Sequence, residues 1–280
     1  MSSILLVPFE YEFFRNGFIA AVVIGALCGF IGVYVVLRRM SYIGHGLAHA
    51  IFGGAVLSYV WNINFFIGGG VWALLAGGLI HWVSHRRWVG ADAAIGVVTT
   101  SSFALGVAII STHRSFTRNI EAALFGNILG ITRTDVWIVV LISLAVFAAL
   151  FAIRRPLLFA TFDPEVASAY GISTGTIDLL FVMLLAITVL ASTQILGVTL
   201  VAAAMVIPPV IARYLTQRFH NLLIISPLLG ALCGAVGMFL SFQFDISSAA
   251  TIVLTSAALF ITVEIILIVR GKKPAPIPDH

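Results

Sequence analysis

Charge is what this sequence has least of: 9% of its 280 residues are Asp, Glu, Lys or Arg, while 61% are hydrophobic. A soluble globular domain carries about 25% charged residues. With a mean hydropathy of +1.12, most of the surface must face something other than water. Cysteine is scarce too, and Cys28 and Cys233 both lie within apolar runs, where they read as small buried hydrophobes rather than a disulfide. No glycine-rich phosphate loop is present, so any energy source must be an ion gradient or a partner protein. The N-terminus has no basic stretch before its first apolar run, and Glu10 and Glu12 interrupt it, so no cleavable signal peptide is expected. The net charge of +4 gives no argument for nucleic acid, because the basic residues stand in pairs at the ends of apolar runs.

What is present is a series of apolar runs, each near the roughly 20 residues that cross a bilayer as a helix. They fall at 17–37, 42–60, 65–83, 93–110, 136–153, 177–194, 196–214, 222–242 and 249–269. The sixth and seventh are almost continuous, which leaves eight or nine spans. The expected fold is therefore all-α: a polytopic membrane helical bundle forming one transmembrane domain over residues 1–270, multi-pass in the cell membrane. If spans alternate, Arg38, Arg39, Arg86, Arg87, Arg154, Arg155, Arg213, Arg218, Arg270, Lys272 and Lys273 share one side. Basic residues collect on the cytoplasmic side, so nine spans put the N-terminus outside and the C-terminus in the cytoplasm. Residues 271–280, rich in Pro and Lys, read as a disordered cytoplasmic tail.

Two stretches do not span. Residues 111–135 contain a short apolar piece, 120–131, that suits a surface or re-entrant helix. Residues 154–175 contain Asp163-Pro164-Glu165, in which Asp163 suits a helix N-cap and Pro164 the first helical position.

Chemistry is concentrated at Gly44-His45-Gly46-Leu47-Ala48-His49, where the second run begins. His45 and His49, four apart, share a helical face, and two imidazoles at that spacing can hold one metal ion. The bland alternative is a pair solvating the helix end. A His-Glu-x-x-His protease is disfavoured, because residue 46 is Gly and supplies no general base. Thr99 and Thr100 in the fourth run, and Thr193 and Gln194 in the sixth, either bond across helices or line an aqueous path. Asp92 and Asp178 read as N-caps, Glu264 as a carboxylate snorkelling towards Arg270, and Asp245 as a lone outer-loop carboxylate.

Four stretches together resemble the permeases of ATP-binding-cassette (ABC) importers for zinc, manganese and iron. They are Arg38 through Ala50, Leu124 through Gly130, Phe162 through Ile172, and Gln194 through Pro208 followed by Ala212-Arg213. The resemblance implies a dimer of this chain enclosing a path, with His45 and His49 as a transient site for the transported divalent metal (zinc or manganese). It implies no permanently bound cofactor and no enzymatic activity of the chain's own. An extracytoplasmic metal-binding protein would deliver the ion. A cytoplasmic ATP-binding subunit would dock on 155–175, through Asp163, Pro164, Glu165, Ala167 and Gly171. The chain departs from the family at His45, where Asp is usual, at Ala48, and at Ser247-Ser248-Ala249 in place of a Pro-x-Gly pattern. Imidazole suits zinc better than manganese, which prefers oxygen. The competing class is a secondary transporter driven by an ion gradient, which would use intramembrane carboxylates; the sequence offers only Glu264, near a span end.

Overall fold

The computed structural model describes residues 7–84, 90–112 and 124–271. After a 3-10 turn at Val7–Glu10 come α1 (Glu12–Leu37), α2 (Ser41–Val60), α3 (Phe65–Ser84) and α4 (Ala91–Thr112). A second 3-10 turn, Ile128–Gly130, precedes α5 (Arg133–Ala152), α6 (Arg154–Phe162), α7 (Pro164–Ala169), α8 (Thr174–Leu215), α9 (Phe219–Phe244) and α10 (Ser248–Val269). Eight of these helices are long and apolar enough to cross a membrane. Helices are the required outcome, because lipid offers no partner for a free backbone N–H or C=O.

The central helix is α1, with Phe14, Ala20, Ile24, Leu27, Cys28 and Ile31 wholly buried. In lipid, helices gain little from apolar burial alone and associate by close backbone approach. Gly25 of α1 meets Gly230 of α9 so closely that a Cβ on Gly25 would stand 2.2 Å from the Gly230 carbonyl oxygen. One turn away, Ser226 Oγ donates to the Gly29 carbonyl at 2.6 Å.

Helix α8 is 42 residues long and is broken at Gly197 (φ 74°, ψ 162°). Drawn straight, it would separate Phe181 from Ala212 by about 46 Å. Yet the Phe181 ring lies 6.2 Å from that of Tyr34, and Ala212 packs with the neighbouring Val33. Both arms therefore return to the same end of α1, the chain reverses at Gly197, and α8 supplies two passes. Among the described residues the eight long helices thus make nine crossings, one for each apolar run, with the break falling between the sixth and seventh.

The reversal leaves backbone groups that neither arm can satisfy, and the segment before α5 supplies partners. Asn127 N–H donates to the Gln194 carbonyl at 3.3 Å, and Thr199 Oγ1 donates to the Leu124 carbonyl at 3.0 Å. The part of 120–131 that is described begins with two helical residues, Leu124 and Phe125, and then runs as a strap over the hairpin apex, ending in one 3-10 turn.

Other expectations change in detail. Asp178 is not the N-cap of its helix: α8 begins at Thr174 with Ser173 at the cap, and Asp178 instead pairs with Arg38. Asp92 stands inside the first turn of α4 rather than before it, where a carboxylate still favours the helix dipole. Within the non-spanning stretch 154–175, residues Arg154–Phe162 form a further short helix, α6, ahead of the one that Asp163 caps. Asp245 closes α9 in a left-handed conformation, and among the described residues Glu264 has no ion-pair partner. The proposed tail, apart from Gly271, lies outside the described residues, as do His85–Val89 and His113–Ala123.

A methyl group on Gly197 would stand 2.4 Å from the Gly126 nitrogen and the Leu124 oxygen. With the positive φ adding about 1–3 kcal/mol of backbone strain, Gly197→Ala should lower the melting temperature of the detergent-solubilised chain by several degrees. An unchanged melting temperature would refute the packed apex.

Candidate metal path

His45 and His49 project from the first turns of α2, about 6 and 12 Å along the axis from Ser41. Their rings meet edge to face with centroids 4.6 Å apart. His49 is half-buried against Phe103 of α4, at 5.5 Å, whereas His45 is exposed and has Tyr42 beside it at 6.3 Å. The pair therefore opens outward from the single chain. Among the described residues no cluster of three or more His, Cys, Asp or Glu forms, so one chain offers two nitrogens towards a metal that prefers four or more ligands.

Helix α4 holds α2 in place beneath this pair. Gly46 faces Ile95 and Thr99, and Ser102 Oγ donates to the Ala50 carbonyl at 2.6 Å while accepting from Trp72 Nε1 at 2.7 Å. This chain of bonds ties α2, α3 and α4 together next to the two histidines.

The four hydroxyl and amide residues divide into two places. Thr99 and Thr100 belong to the α2–α4 region beside the histidines, but both hydroxyls donate to the Gly96 carbonyl of their own helix. Thr193 is buried at the hairpin apex and donates to the Leu190 carbonyl at 2.8 Å. Gln194 lies beside it, its amide oxygen buried and unpaired among the described residues. The fold thus separates Thr193 and Gln194 from the histidine pair, near the opposite end of the bundle.

At the Arg38 end, Asp163 caps α7 by accepting from Val166 N–H at 2.9 Å, with Pro164 in the first turn. Ala167 is wholly buried and anchors this short helix, while Glu165 is exposed. Gly171 ends the segment at φ 77° with open space around it. Sequence reasoning missed the apolar residues exposed here: Tyr170 (81% exposed), Phe159, Phe162 and Val166. It also missed the Arg38–Asp178 ion pair, whose two residues stand 140 positions apart in the chain.

The repeated crossings, the outward-opening imidazole pair and the two short helices at one end are those of a multi-pass membrane transport permease. Residues 10–267 match the ABC 3 transport family. This chain belongs to that family and is the membrane-spanning permease of an ABC importer, the hydrolysis of ATP being carried out by a separate subunit. It is 35% identical to the manganese transport system membrane protein MntC of Halalkalibacterium halodurans, over 90% of this chain and 86% of that protein. It is 32% identical to the manganese import system permease protein ScaB of Streptococcus parasanguinis, over 97% and 96%. Its fold is similar to a chain in the solved structure of PsaBC from Streptococcus pneumoniae in complex with Fab, with a TM-score of 0.84, 29% identity and 94% of each chain covered. Family membership speaks for an ATP-driven importer and lends nothing to the secondary-transporter alternative.

Ser102→Ala removes both bonds of the α2–α3–α4 tie. Buried polar bonds between membrane helices contribute about 1 kcal/mol or less each. The variant should melt a few degrees below the wild-type chain in the same detergent, and a melting point equal to wild type would show that the tie is dispensable.

Proposed function

We propose that this chain, paired with a second copy of itself, forms the path through which a divalent transition metal, manganese or zinc, enters the cell. The observation that carries this reading is the His45–His49 pair: two rings at 4.6 Å, within a membrane-spanning helix and open to the outside of the single chain. An ionisable residue facing lipid is costly, so a second copy covering this face explains its exposure. It also explains how two nitrogens per chain become four.

The mechanism follows from the ligands. Neutral imidazole donates its lone pair to the ion, and an incomplete shell holds it weakly enough for release, as a conducting site requires. An extracytoplasmic metal-binding protein would deliver the ion at 111–135 and 242–248. A cytoplasmic ATP-binding subunit would grip Asp163, Pro164, Glu165, Ala167 and Gly171, and its closure on ATP would rock the helices between outward and inward states. The curated relatives are named for manganese. The all-nitrogen pair of this chain moves the preference towards zinc, and manganese and zinc should therefore compete for one path.

Uptake of radiolabelled manganese and zinc into vesicles carrying the whole complex tests the site. His45→Ala and His49→Ala should each reduce uptake at least about tenfold, the scale of disturbing a metal's immediate surroundings. Retained uptake in either would reduce the pair to helix solvation. His45→Asp should raise manganese uptake relative to zinc, and an unchanged ratio would remove His45 from the ligand set.

Docking has its own readout. Glu165→Lys, or Gly171→Val at its positive φ, should leave metal binding intact but weaken capture of the ATP-binding subunit. Normal capture by both variants would place the docking surface elsewhere.

A further inference from the structure

Arg38 and Asp178 meet at the cytoplasmic end, from residues 140 positions apart in the chain. Arg38 caps the end of α1, and its side chain is only 11% exposed. One guanidinium nitrogen, Nη2, donates to Asp178 Oδ1, and the guanidinium carbon lies 5.1 Å above the Phe181 ring. The other nitrogen, Nη1, is buried with no partner among the described residues. One helical turn away, Tyr34 Oη is likewise buried and unpaired, enclosed by Phe30, Phe181 and Phe219.

As a source of stability this arrangement is poor. Desolvating both charges offsets much of their attraction, and each orphaned polar atom is costly and calls for an explanation. Its position supplies one. Asp178 follows Gly171 by seven residues, on the helix against which both α6 and α7 rest. Arg38 precedes His45 by seven residues, with only Arg39, Met40 and the start of α2 between them. Arg39 takes a positive φ of 56° there, so the connection is a tight corner rather than a slack loop.

We propose that the Arg38–Asp178 pair is the joint that carries movement of the ATPase-docking segment to the helix bearing His45 and His49; this rests on the function proposed above. Displacement of α6 and α7 shifts the first turns of α8, and Asp178 draws Arg38 with it. Arg38 in turn moves the corner from which α2 starts. The spare donor Nη1 and the unpaired Tyr34 hydroxyl are the groups that find partners when the joint changes state. Arg38 and Asp178 are positioning residues, in contact with neither metal nor nucleotide.

The test uses the complete complex with its ATP-binding subunit and binding protein in vesicles, with manganese and zinc as probes. Arg38→Gln and Asp178→Asn should assemble and keep basal ATP hydrolysis. Metal-stimulated hydrolysis and uptake should fall at least about tenfold, within the usual range of coupling between sites. Arg38→Lys should retain part of the coupling. The exchanged pair, Arg38→Asp with Asp178→Arg, should recover much of what either single change loses. Full stimulation in Arg38→Gln overturns the proposal. If the single variants fail to assemble, the exchanged pair decides: assembled and coupled supports the joint, assembled and uncoupled overturns it. The two readings fail separately. A wild-type complex carrying neither manganese nor zinc ends the function proposed above. A wild-type complex that carries metal, beside an Arg38→Gln variant that is fully coupled, ends only the joint.

Discussion

A backbone carbonyl or amide freed inside a membrane bundle has no water to bond with, and the structure is organised around meeting that demand with protein. The break at Gly197 is the severest case, because reversal of a helix releases groups on both arms. The strap through Leu124, Asn127 and Gly130 answers it with backbone of its own. The two pieces bond to each other directly, Asn127 N–H to the Gln194 carbonyl and Thr199 Oγ1 to the Leu124 carbonyl. These bonds hold the apex end of the bundle, from which the two arms of α8 run alongside α1 and α2 towards the end that carries Arg38.

Close contact does the rest. Gly25 against Gly230, and Gly46 against Thr99, bring helices together at distances that larger residues forbid, so α1 with α9 and α2 with α4 become two tightly joined pairs. Hydroxyls serve mainly as local connectors. Ser102, Ser226 and Ser241 bond across to other elements or loops, whereas Thr99, Thr100 and Thr193 return to their own helices. Among the described residues few buried polar groups remain unspent, and two of these, on Tyr34 and Arg38, lie together at the end of α1 opposite the hairpin apex.

Much of this was legible in the sequence, for a simple reason. A span-length apolar run has few folds open to it in lipid, so the crossings could be counted to eight or nine, the near-continuous pair around Gly197 being the one left open. The cap at Asp163 was legible because capping is local, with donor and acceptor three residues apart. The His45–His49 pair was legible because helical spacing alone puts both rings on one face. What stayed hidden depends on packing between distant segments. Arg38 beside Arg39 looks like an ordinary topology signal, and nothing local says that Asp178 will reach it. The polar runs were misleading in the same way: composition cannot tell a hydroxyl lining a path from one bonded back to its own helix.

The hairpin also bears on how the chain enters the membrane. Its apex, from Thr193 to Thr199, contains no charged residue and no hydrophilic loop. The nearest basic residues stand at the far ends of the arms, Arg154 and Arg155 before the first, Arg213 in the last turn of the second and Arg218 after it. During biosynthesis nothing at the apex can halt the insertion machinery between the two arms or mark the turning point. The two arms are thus joined with no hydrophilic link between them, and the arginines at their far ends are the nearest topology signals. The strap that seals the apex is made earlier, so its binding surface is complete only after the later segment has crossed. The apex end of this permease is then closed by a piece of chain that waits for its partner to be translated.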